Sequence, residues 1–369
     1  MKGKKKNVFL VRTPLQYILA VEALERFDLD LNNTVLILMS DNKDSIYQIN
    51  QYGYLNKFSK VYNIFNKKRK LKVVFFQSLI ALFSTIKGII YFKYLVFKYR
   101  VPKNLFVGHI DYIWMAAFTE KSKPLKIILL EDGSAAINVA YRRYHSPPGE
   151  FMLQNHYTLS KSLRVRIEQL FLGKLKVLAI KNVTFFTVYD RIKTQPFDDL
   201  ILNKLTQLKS QKNDNYRLVN EVWFIGQPIV NNLITKDEYN HILTTIKNYF
   251  GENNYSFFHI NHKRQNDSPE YIKKSGYLIK SIYKPLEIHI LQESRIPKII
   301  VGYLSSSLMN LKTMFESNEL KIFYIGDQIS TIRRQGDVSR RFNYFEKEPR
   351  FKRIQLEITK SEDTKNYSI

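Results

Sequence analysis

The chain has 369 residues, enough for two α/β domains, and its 58 Lys and Arg against 33 Asp and Glu give a formal net charge of +25. Its 44% hydrophobic and 14% aromatic content excludes general disorder, and its lack of Cys excludes disulfide scaffolds, thiolate metal sites and cysteine nucleophiles. The positive charge indicates a polyanionic partner: nucleic acid, an anionic membrane surface, or a nucleotide or acidic-sugar substrate.

In the first half, short β-branched runs alternate with helical patterns. The predicted strands are Asn7–Val11, Thr34–Met39, Val61–Phe65, Leu105–His109 and Lys126–Leu130. Helices are predicted from Thr13-Pro14 to about Arg26 and over Asp44–Tyr52, and a proline suits a first helical turn because its missing N–H has no partner to lose there. This alternation predicts an α/β domain with a mostly parallel sheet.

The second half repeats the pattern after a polar linker at 209–216. The predicted strands are Glu221–Ile225, Ser256–Ile260, Lys298–Val301 and Lys321–Ile325, and the predicted helices are Glu287–Glu293 and Leu308–Phe315. We therefore expect one α/β domain over residues 1–212, a second over 213–355, and a polar tail over 356–369.

Residues 66–100 are predicted to form a long helical segment that is apolar with basic flanks. Its longest charge-free stretch, Val73–Ile86, is shorter than the ~20 residues that cross a bilayer. Two interpretations remain open: peripheral contact with an anionic membrane, or a buried core helix with solvated ends. The segment is also compatible with packing between the subunits of a homodimer.

The N-terminus predicts no secretory signal, because Arg12 and Pro14 interrupt the apolar run that follows the basic residues 2–6. The lack of Cys also fits a reducing compartment. We expect a cytoplasmic protein. If residues 66–100 contact lipid, we expect it at the inner face of the cell membrane.

The acidic motif Glu131-Asp132-Gly133 follows the predicted strand Lys126–Leu130. Ligands of open α/β sheets bind beyond the carboxyl ends of the strands, so one carboxylate there can act as a general base while the other supports it. The competing interpretation is an acidic turn that caps the next helix.

Three further polar clusters occupy equivalent places, at 12–16, 262–265 and 305–307. A histidine and cations suit a phosphate, and hydroxyls at a helix N-terminus suit an anion. Ordinary capping and a basic surface loop are the competing interpretations. Because each cluster lies at a strand's carboxyl end or a helix N-terminus, the clusters converge if the two halves face each other across a cleft.

Glycine-rich nucleotide motifs are absent from the sequence, both Gly-x-Gly-x-x-Gly and the Walker type. The spacing of Asp28-Leu29-Asp30 resembles a metal site, but its place after a helix predicts a surface turn. The seven His form no pair at metal-ligand spacing, so no metal or cofactor is expected.

Taken in order, these motifs resemble those of bacterial sialyltransferases, most closely the lipooligosaccharide and capsule group, glycosyltransferase family 52. They span about residues 7–330 and comprise Thr13-Pro14-Leu15-Gln16, Glu131-Asp132-Gly133, His262-Lys263-Arg264-Gln265, Lys284-Pro285-Leu286-Glu287 and Ser305-Ser306-Ser307-Leu308. One departure is Lys263, which replaces a proline that would stiffen the loop around His262.

The resemblance implies a GT-B-like α/β fold with two Rossmann-like domains and an inter-domain cleft. The N-terminal domain would hold the acceptor, a terminal galactose-type sugar, and the C-terminal domain the donor, CMP-N-acetylneuraminic acid. The implied reaction is a metal-independent, inverting single displacement that builds a capsule or lipooligosaccharide.

By motif, Asp132 would be the general base, Glu131 its support, and His262 the residue that contacts the CMP phosphate and acts as the acid. The implied donor-binding residues are Ser305, Ser306, Ser307, Arg264, Gly226, Gln227 and Glu287. The implied sialyl- or acceptor-binding residues are Thr13, Gln16 and Gly133.

Other functions remain open alongside this one. A polysialyltransferase carries related motifs, and another GT-B transferase could use a different nucleotide sugar. A nucleic-acid-binding protein is the alternative from another class, since 24 Tyr and 25 Phe in a basic chain suit stacking on bases, although no RNA- or DNA-binding motif is present.

Overall fold

The computed structural model describes residues 5–40, 42–65, 74–130, 133–154, 163–173, 175–227, 230, 234–251, 254–261, 270–315, 319–326 and 335–355, without the side chains of 74–84, 163–165, 271 and 335. Contacts divide the chain into two compact units, residues 1–212 and 213–369. The tail predicted at 356–369 lies outside the described residues.

The described part of the first unit is built on a parallel sheet. Its strands are β1 Asn7–Val11, β2 Thr34–Leu38, β3 Lys60–Asn63, β4 Asn104–Val107, β5 Lys126–Leu130, β6 Glu150–Met152, β7 Val177–Ala179, β8 Thr184–Thr187 and β9 Asp199–Leu202. Its helices are α1 Pro14–Arg26, α2 Lys43–Gln51, α3 Val74–Lys98, α4 Ile113–Ser122, α5 Ala135–Tyr144, α6 Leu163–Leu172 and α7 Thr206–Lys209.

Seven of these strands form one sheet in the order β3-β2-β1-β4-β5-β8-β9, and each adjacent pair is parallel. Strands β1 and β2 are buried along their whole length, as expected when both faces of a parallel sheet are covered. The chain runs outward from β1 to β3 and then returns to β4 on the other side. This reversal between β1 and β4 is where ligands of such sheets bind.

Helix α3 accounts for the apolar segment predicted at 66–100, of which residues 66–73 lie outside the described residues. One face of its described part, from residue 85 onward, packs into the core of the first unit through Ile89, Phe92 and Leu95, and Tyr99 directly after the helix joins them. The opposite face of that part is exposed, so the buried-helix interpretation holds for one side of it only. Among the described residues, no helix has the length and apolarity needed to cross a membrane.

A buried ion pair closes the end of the first unit. Arg143 and Asp198 are both fully buried, and Arg143 Nε lies 2.8 Å from Asp198 Oδ2. The guanidinium also donates to the carbonyls of Ile180 and Lys181, at 3.2 and 2.8 Å. Asp198 accepts in turn from the Val183 N–H at 2.9 Å. One cation therefore ties α5 to the segments on either side of β8.

We expect Arg143→Met to lower the free energy of unfolding by about 3–5 kcal/mol, because it leaves a buried carboxylate without its cation. The measurement is urea denaturation followed by circular dichroism. The matched control is Arg100→Met, since Arg100 is exposed and should change stability little. Equal unfolding midpoints for the two variants would show that the ion pair does not hold this end of the unit.

The described part of the second unit contains a six-stranded parallel sheet in the order β12-β11-β10-β13-β14-β15. Its strands are β10 Arg217–Ile225, β11 Ser256–Asn261, β12 Leu278–Ser281, β13 Arg295–Gly302, β14 Lys321–Ile325 and β15 Phe351–Ile354. Its helices are α8 Lys236–Phe250, α9 Glu270–Lys274, α10 Leu286–Gln292, α11 Ser306–Met314 and α12 Gln335–Glu346. The order reverses between β10 and β13, as it does between β1 and β4.

Every strand predicted from the sequence is present, with small shifts at the ends. The third strand ends at Asn63 rather than Phe65, because the Asn63 side chain accepts from the Phe65 N–H at 3.1 Å and starts a turn. The predicted turn at 28–30 is confirmed: the Asp30 carboxylate accepts from the Asn32 N–H at 3.0 Å and caps a short 3₁₀ helix.

Candidate functional site

At the reversal point of the first sheet, Gln16 fills the gap between the ends of β1 and β4. Gln16 is buried, and its side-chain Oε1 accepts from the backbone N–H of Arg12 at 2.8 Å. Gly108, which follows β4, makes room for it, since a Cβ at residue 108 would lie 2.5 Å from Gln16 Oε1. Thr13 caps α1 by accepting from the Gln16 N–H at 3.2 Å. Thr13 and Gln16 therefore shape this edge, and their contact with substrate stays a prediction.

The acidic motif lies between the end of β5 and the start of α5. Glu131 and Asp132 are outside the described residues, while Leu130 before them is buried. Gly133 after them has φ +63°, a left-handed conformation that favours glycine. The motif thus occupies a strand–turn–helix junction, and the glycine in it meets a backbone requirement.

A cavity of about 340 Å³, including its open mouth, lies at the carboxyl ends of β4, β5 and β8. Leu130, immediately before the acidic motif, contributes to its wall, together with His109 and Thr187. His109 was predicted at the end of a strand but not as a functional residue. The signal that could have selected it is its place just beyond the carboxyl end of β4, the strand that pairs with β5.

Arg12 also lies at this edge and was part of the 12–16 cluster, although it was not among the predicted site residues. Its guanidinium carbon is 4.3 Å from the centroid of the Tyr112 ring. Such stacking orients the guanidinium and leaves its in-plane N–H groups available.

At the reversal point of the second sheet, a glycine again permits a close approach. The Gly226 N–H donates to the Ile260 carbonyl at 2.9 Å, and a Cβ at residue 226 would lie 2.4 Å from Cε1 of His259. His259 itself is fully buried, between the Tyr239 hydroxyl at 2.7 Å and Asn261 Oδ1 at 3.1 Å. Burial lowers the pKa of His259 to about 4.

This environment fits a neutral imidazole with one tautomer. The side-chain oxygen Oδ1 of Asn261 can only accept a hydrogen bond, so Nδ1 of His259 carries the proton. Nε2 of His259 then accepts from the Tyr239 hydroxyl. His259 is therefore a structural support beneath Gly226 rather than a proton donor at neutral pH.

The serine cluster joins the same edge. Gln227 Oε1 accepts from the Leu304 N–H at 3.4 Å, which connects the end of β10 to the loop after β13. Ser305 caps α11, because its Oγ accepts from the Ser307 N–H at 3.3 Å. Ser306 and Ser307 are half-buried at the first turn of that helix. The structure thus brings together Gly226, Gln227 and the three serines.

Glu287 lies in the first turn of α10 and is buried. Its Oε1 accepts from Asn310 Nδ2 on α11 at 2.8 Å, so the carboxylate links two helices. Asn310 lies about one helical turn beyond Ser306. Glu287 is therefore connected to the serine helix, and its predicted contact with a nucleoside stays a prediction.

His262 and Arg264, the remaining predicted site residues, lie outside the described residues, as does Lys263. The strand before them, β11, is described and ends at Asn261, beside β10 in the sheet. Within the described part of the chain, no group of three or more acidic or His side chains is arranged to hold a metal ion.

No protein-family model and no curated protein sequence matches this chain. Among solved structures, the S. aureus MnaA–UDP co-structure is similar with a TM-score of 0.50 and 11% identity, over 90% of this chain and 81% of that chain. Two further similar structures are Arabidopsis thaliana UGT89C1, with a TM-score of 0.47 at 12% identity over 96% and 86%, and a Photobacterium sp. 2,6-sialyltransferase with CMP and lactose, with 0.41 at 10% over 95% and 78%.

At these identities the similarity concerns the fold. The chain has a GT-B-like α/β fold, with parallel sheets in two Rossmann-like units. The expected fold class is thereby confirmed in its architecture, whereas the site residues depend on the motifs and geometry described above.

We expect Gly226→Ala to lower the free energy of unfolding by about 1–3 kcal/mol, because the new methyl group collides with the His259 ring and the Ile260 carbonyl. The measurement is thermal and urea unfolding. Gly336→Ala is the matched control, since a Cβ there meets Arg340 at an ordinary 3.5 Å and alanine favours the helix. A stability equal to that of the control would contradict the close approach at Gly226.

Proposed function

We propose that the protein is a sialyltransferase that moves N-acetylneuraminic acid from CMP-N-acetylneuraminic acid to a terminal galactose-type sugar of a capsule or lipooligosaccharide. The observation that supports this best is the carboxyl edge of the second sheet, where Gly226 and Gln227 lie beside the Ser305–Ser307 turn. A nucleotide phosphate binds at this point of a Rossmann-like sheet. Ser305, Ser306 and Ser307 also belong to one of the motifs that resemble glycosyltransferase family 52.

The geometry distinguishes the roles of the three serines. Ser305 uses its hydroxyl oxygen to cap α11, so it positions the turn. Ser306 offers both its hydroxyl and a first-turn N–H for which no acceptor is present among the described residues. The helix N-terminus adds a favourable field for an anion. We therefore assign the CMP phosphate to Ser306, with Ser307 beside it, and Arg264 adds a cation.

In the proposed reaction the acceptor hydroxyl attacks the anomeric carbon of the sialyl group while the bond to the CMP phosphate oxygen breaks. CMP leaves with the electron pair, and the configuration inverts. Asp132 takes the hydroxyl proton, Glu131 supports it, and His262 donates to the departing phosphate. Because CMP is a good leaving group, positioning and charge stabilisation suffice, and no metal is needed.

The test is the release of CMP from CMP-N-acetylneuraminic acid with and without lactose, in the presence of EDTA. We expect lactose to accelerate release and a sialylated product to form. Asp132→Asn should lower kcat by about 10²–10⁴-fold, the usual contribution of a general base, while CMP binding persists. Ser306→Ala should weaken donor binding about tenfold, because it removes one hydrogen bond to a charged group.

The matched control is Ser256→Ala, an exposed serine at the opposite end of β11 that should keep wild-type kinetics. Unchanged turnover in Asp132→Asn would remove the base assignment. Release from a UDP-sugar but not from the CMP donor would replace sialyl transfer by another GT-B activity. Chains of several sialyl residues in the product would indicate the polymerising alternative.

We also propose that the exposed face of α3 contacts an anionic bilayer. Ile86, Ile90, Tyr94 and Phe97 are 38%, 65%, 49% and 79% exposed, and their spacing of four, four and three residues places them on one side of the helix. Leu170 of α6 is 78% exposed, and α6 packs beside α3. These five residues are called the α3 face below.

Cations surround the α3 face. Lys87, Lys93 and Lys98 are exposed on the same helix, and Lys93 Nζ lies 5.4 Å from the centroid of Phe171, a neighbour of Leu170. Apolar side chains ringed by lysines suit insertion between the head groups of anionic lipids, with about 1 kcal/mol gained per Lys near the surface. Contact with lipid would hold the enzyme beside a membrane-anchored glycan acceptor.

We expect the double variant Ile90→Ser/Phe97→Ser to sediment severalfold less with vesicles of phosphatidylcholine and phosphatidylglycerol than the wild type does. Leu125→Ser is the matched control, because Leu125 is exposed in the same unit but belongs to neither α3 nor α6. Equal sedimentation of wild type and double variant would overturn lipid contact. If the double variant instead abolishes a dimer seen by light scattering, the α3 face is an interface between two copies.

A further inference from the structure

We infer that Arg12 and Tyr112 form a binding site for a substrate oxyanion, a carboxylate or a phosphate, at the reversal point of the first sheet. Arg12 directly follows β1, and Tyr112 directly precedes α4, which follows β4. The guanidinium stacks on the ring with its carbon 4.3 Å from the ring centroid. Both residues belong to the first unit.

The charge of Arg12 is not neutralised within the described part of the chain. Half-buried arginines elsewhere in that part have partners: Arg142 pairs with Asp111, Arg353 with Glu346, Arg340 with Asp337, and Arg350 donates to two carbonyls. The arginines that lack such partners are exposed to water: Arg26, Arg100, Arg166, Arg217 and Arg295. Arg12 is half-buried, and none of the described carboxylates lies within ion-pair distance of it.

Removing part of a guanidinium from water without a counter-charge is unfavourable. A cation–π contact with one aromatic ring offsets only about 0.5–2 kcal/mol of that desolvation free energy. The neighbouring acid does not compensate, because Asp111 pairs with Arg142 and accepts from the Gln154 N–H at 2.8 Å. An arrangement that keeps one cation partly desolvated and unpaired is typical of a site completed by an anionic ligand.

The local structure also holds Arg12 in place before any ligand arrives. Its backbone N–H donates to the buried Gln16 side chain at 2.8 Å, and Gly108 leaves the space that this side chain needs. The guanidinium carbon lies over the Tyr112 ring, and none of the guanidinium N–H groups donates to a described residue. That geometry matches the two oxygens of a carboxylate or phosphate, which a guanidinium binds in a bidentate manner.

The identity of the anion rests on the proposed function. In a sialyl transfer it is the carboxylate of the donor's sialyl group, the carboxylate of a sialylated acceptor, or a phosphate on the acceptor glycan. All three share a planar or tetrahedral oxyanion on a sugar. A neutral acceptor sugar would leave Arg12 without its counter-charge.

The test measures equilibrium binding by titration calorimetry with three probes: N-acetylneuraminic acid, its methyl ester and glycerol phosphate. The wild type should bind at least one of the two anions about tenfold more tightly than the ester, and Arg12→Gln should abolish that preference. Arg12→Lys should restore part of it, because lysine keeps the charge without the fork. Tyr112→Leu should weaken anion binding while Tyr112→Phe retains it, since the ring and not the hydroxyl supports the guanidinium.

Arg26→Gln, an exposed arginine in the last turn of α1, is the matched control and should bind every probe like the wild type. Unfolding midpoints establish that each variant is folded. A preference for N-acetylneuraminic acid identifies a carboxylate site, and a preference for glycerol phosphate identifies a phosphate site. If neither N-acetylneuraminic acid nor glycerol phosphate binds the wild type more tightly than the ester does, or if Arg12→Gln keeps full anion binding, the site is overturned.

The two proposals fail separately in this design. If the wild type transfers no sialyl group but binds an anion through Arg12, the proposed function fails and the anion site stands. If transfer occurs, and Arg12→Gln binds N-acetylneuraminic acid and glycerol phosphate and transfers the sialyl group like the wild type, the anion site fails and the proposed function stands.

Discussion

Close approach of the backbone to buried polar side chains, at Gly108 and Gly226, is the constraint on which both candidate edges depend. Each glycine follows a central strand beside the point where its sheet reverses order. Gly108 admits the Gln16 amide and Gly226 admits the His259 ring, and a methyl group at either glycine would lie within 2.5 Å of that side chain. The two units therefore solve the same packing problem in the same place, because only a residue without a Cβ lets side chain and strand end meet so closely.

The two edges differ in their charge. The described polar groups of the second edge are neutral: burial lowers the pKa of His259 to about 4, and the serines offer hydroxyls and N–H groups. The first edge presents the guanidinium of Arg12, which lies over the Tyr112 ring and has no ion-pair partner within the described part of the chain. In the proposed reaction the donor phosphate is a diester with one negative charge, and a second develops as CMP departs. That charge calls for further cations at the serine turn, and the sequence has Lys263 and Arg264 shortly after β11.

Much of the fold could be predicted because buried parallel strands are continuous apolar runs. Strand β1 and strand β5 match their predicted bounds for this reason. Strands β8 and β9 were not predicted, because each has four residues, with Thr at both ends of β8 and Asp199 at the start of β9, so that they resemble the loops around them. Strands this short are fixed by pairing with a neighbour rather than by their own composition.

The site could be predicted less completely, because its decisive contacts join distant parts of the chain. Glu287 meets Asn310 across 23 positions, which assigns its carboxylate to a link between helices that no local pattern shows. Arg12 stands out only because no carboxylate among the described residues pairs with it in the folded chain, whereas in the sequence it is one of 58 cations. In α3, apolar residues occur on every side of the helix, so only the packing in the folded chain shows which side is buried.

The net charge of +25 gives the protein a positive field that extends into the solvent. Two buried acids are held by neutral groups rather than by described cations: Glu22 accepts from the N–H groups of Gln207 and Leu208 at the start of α7, and Glu287 accepts from Asn310. The lysines of α3 remain exposed to solvent. A surface of this kind attracts nucleotide sugars and anionic lipids alike, but the attraction is screened within about 8–10 Å at physiological salt. The interaction of a half-buried cation such as Arg12 with an anion is screened much less. The long-range positive field therefore attracts anions of every kind, whereas selection among them depends on short-range geometry at residues such as Arg12.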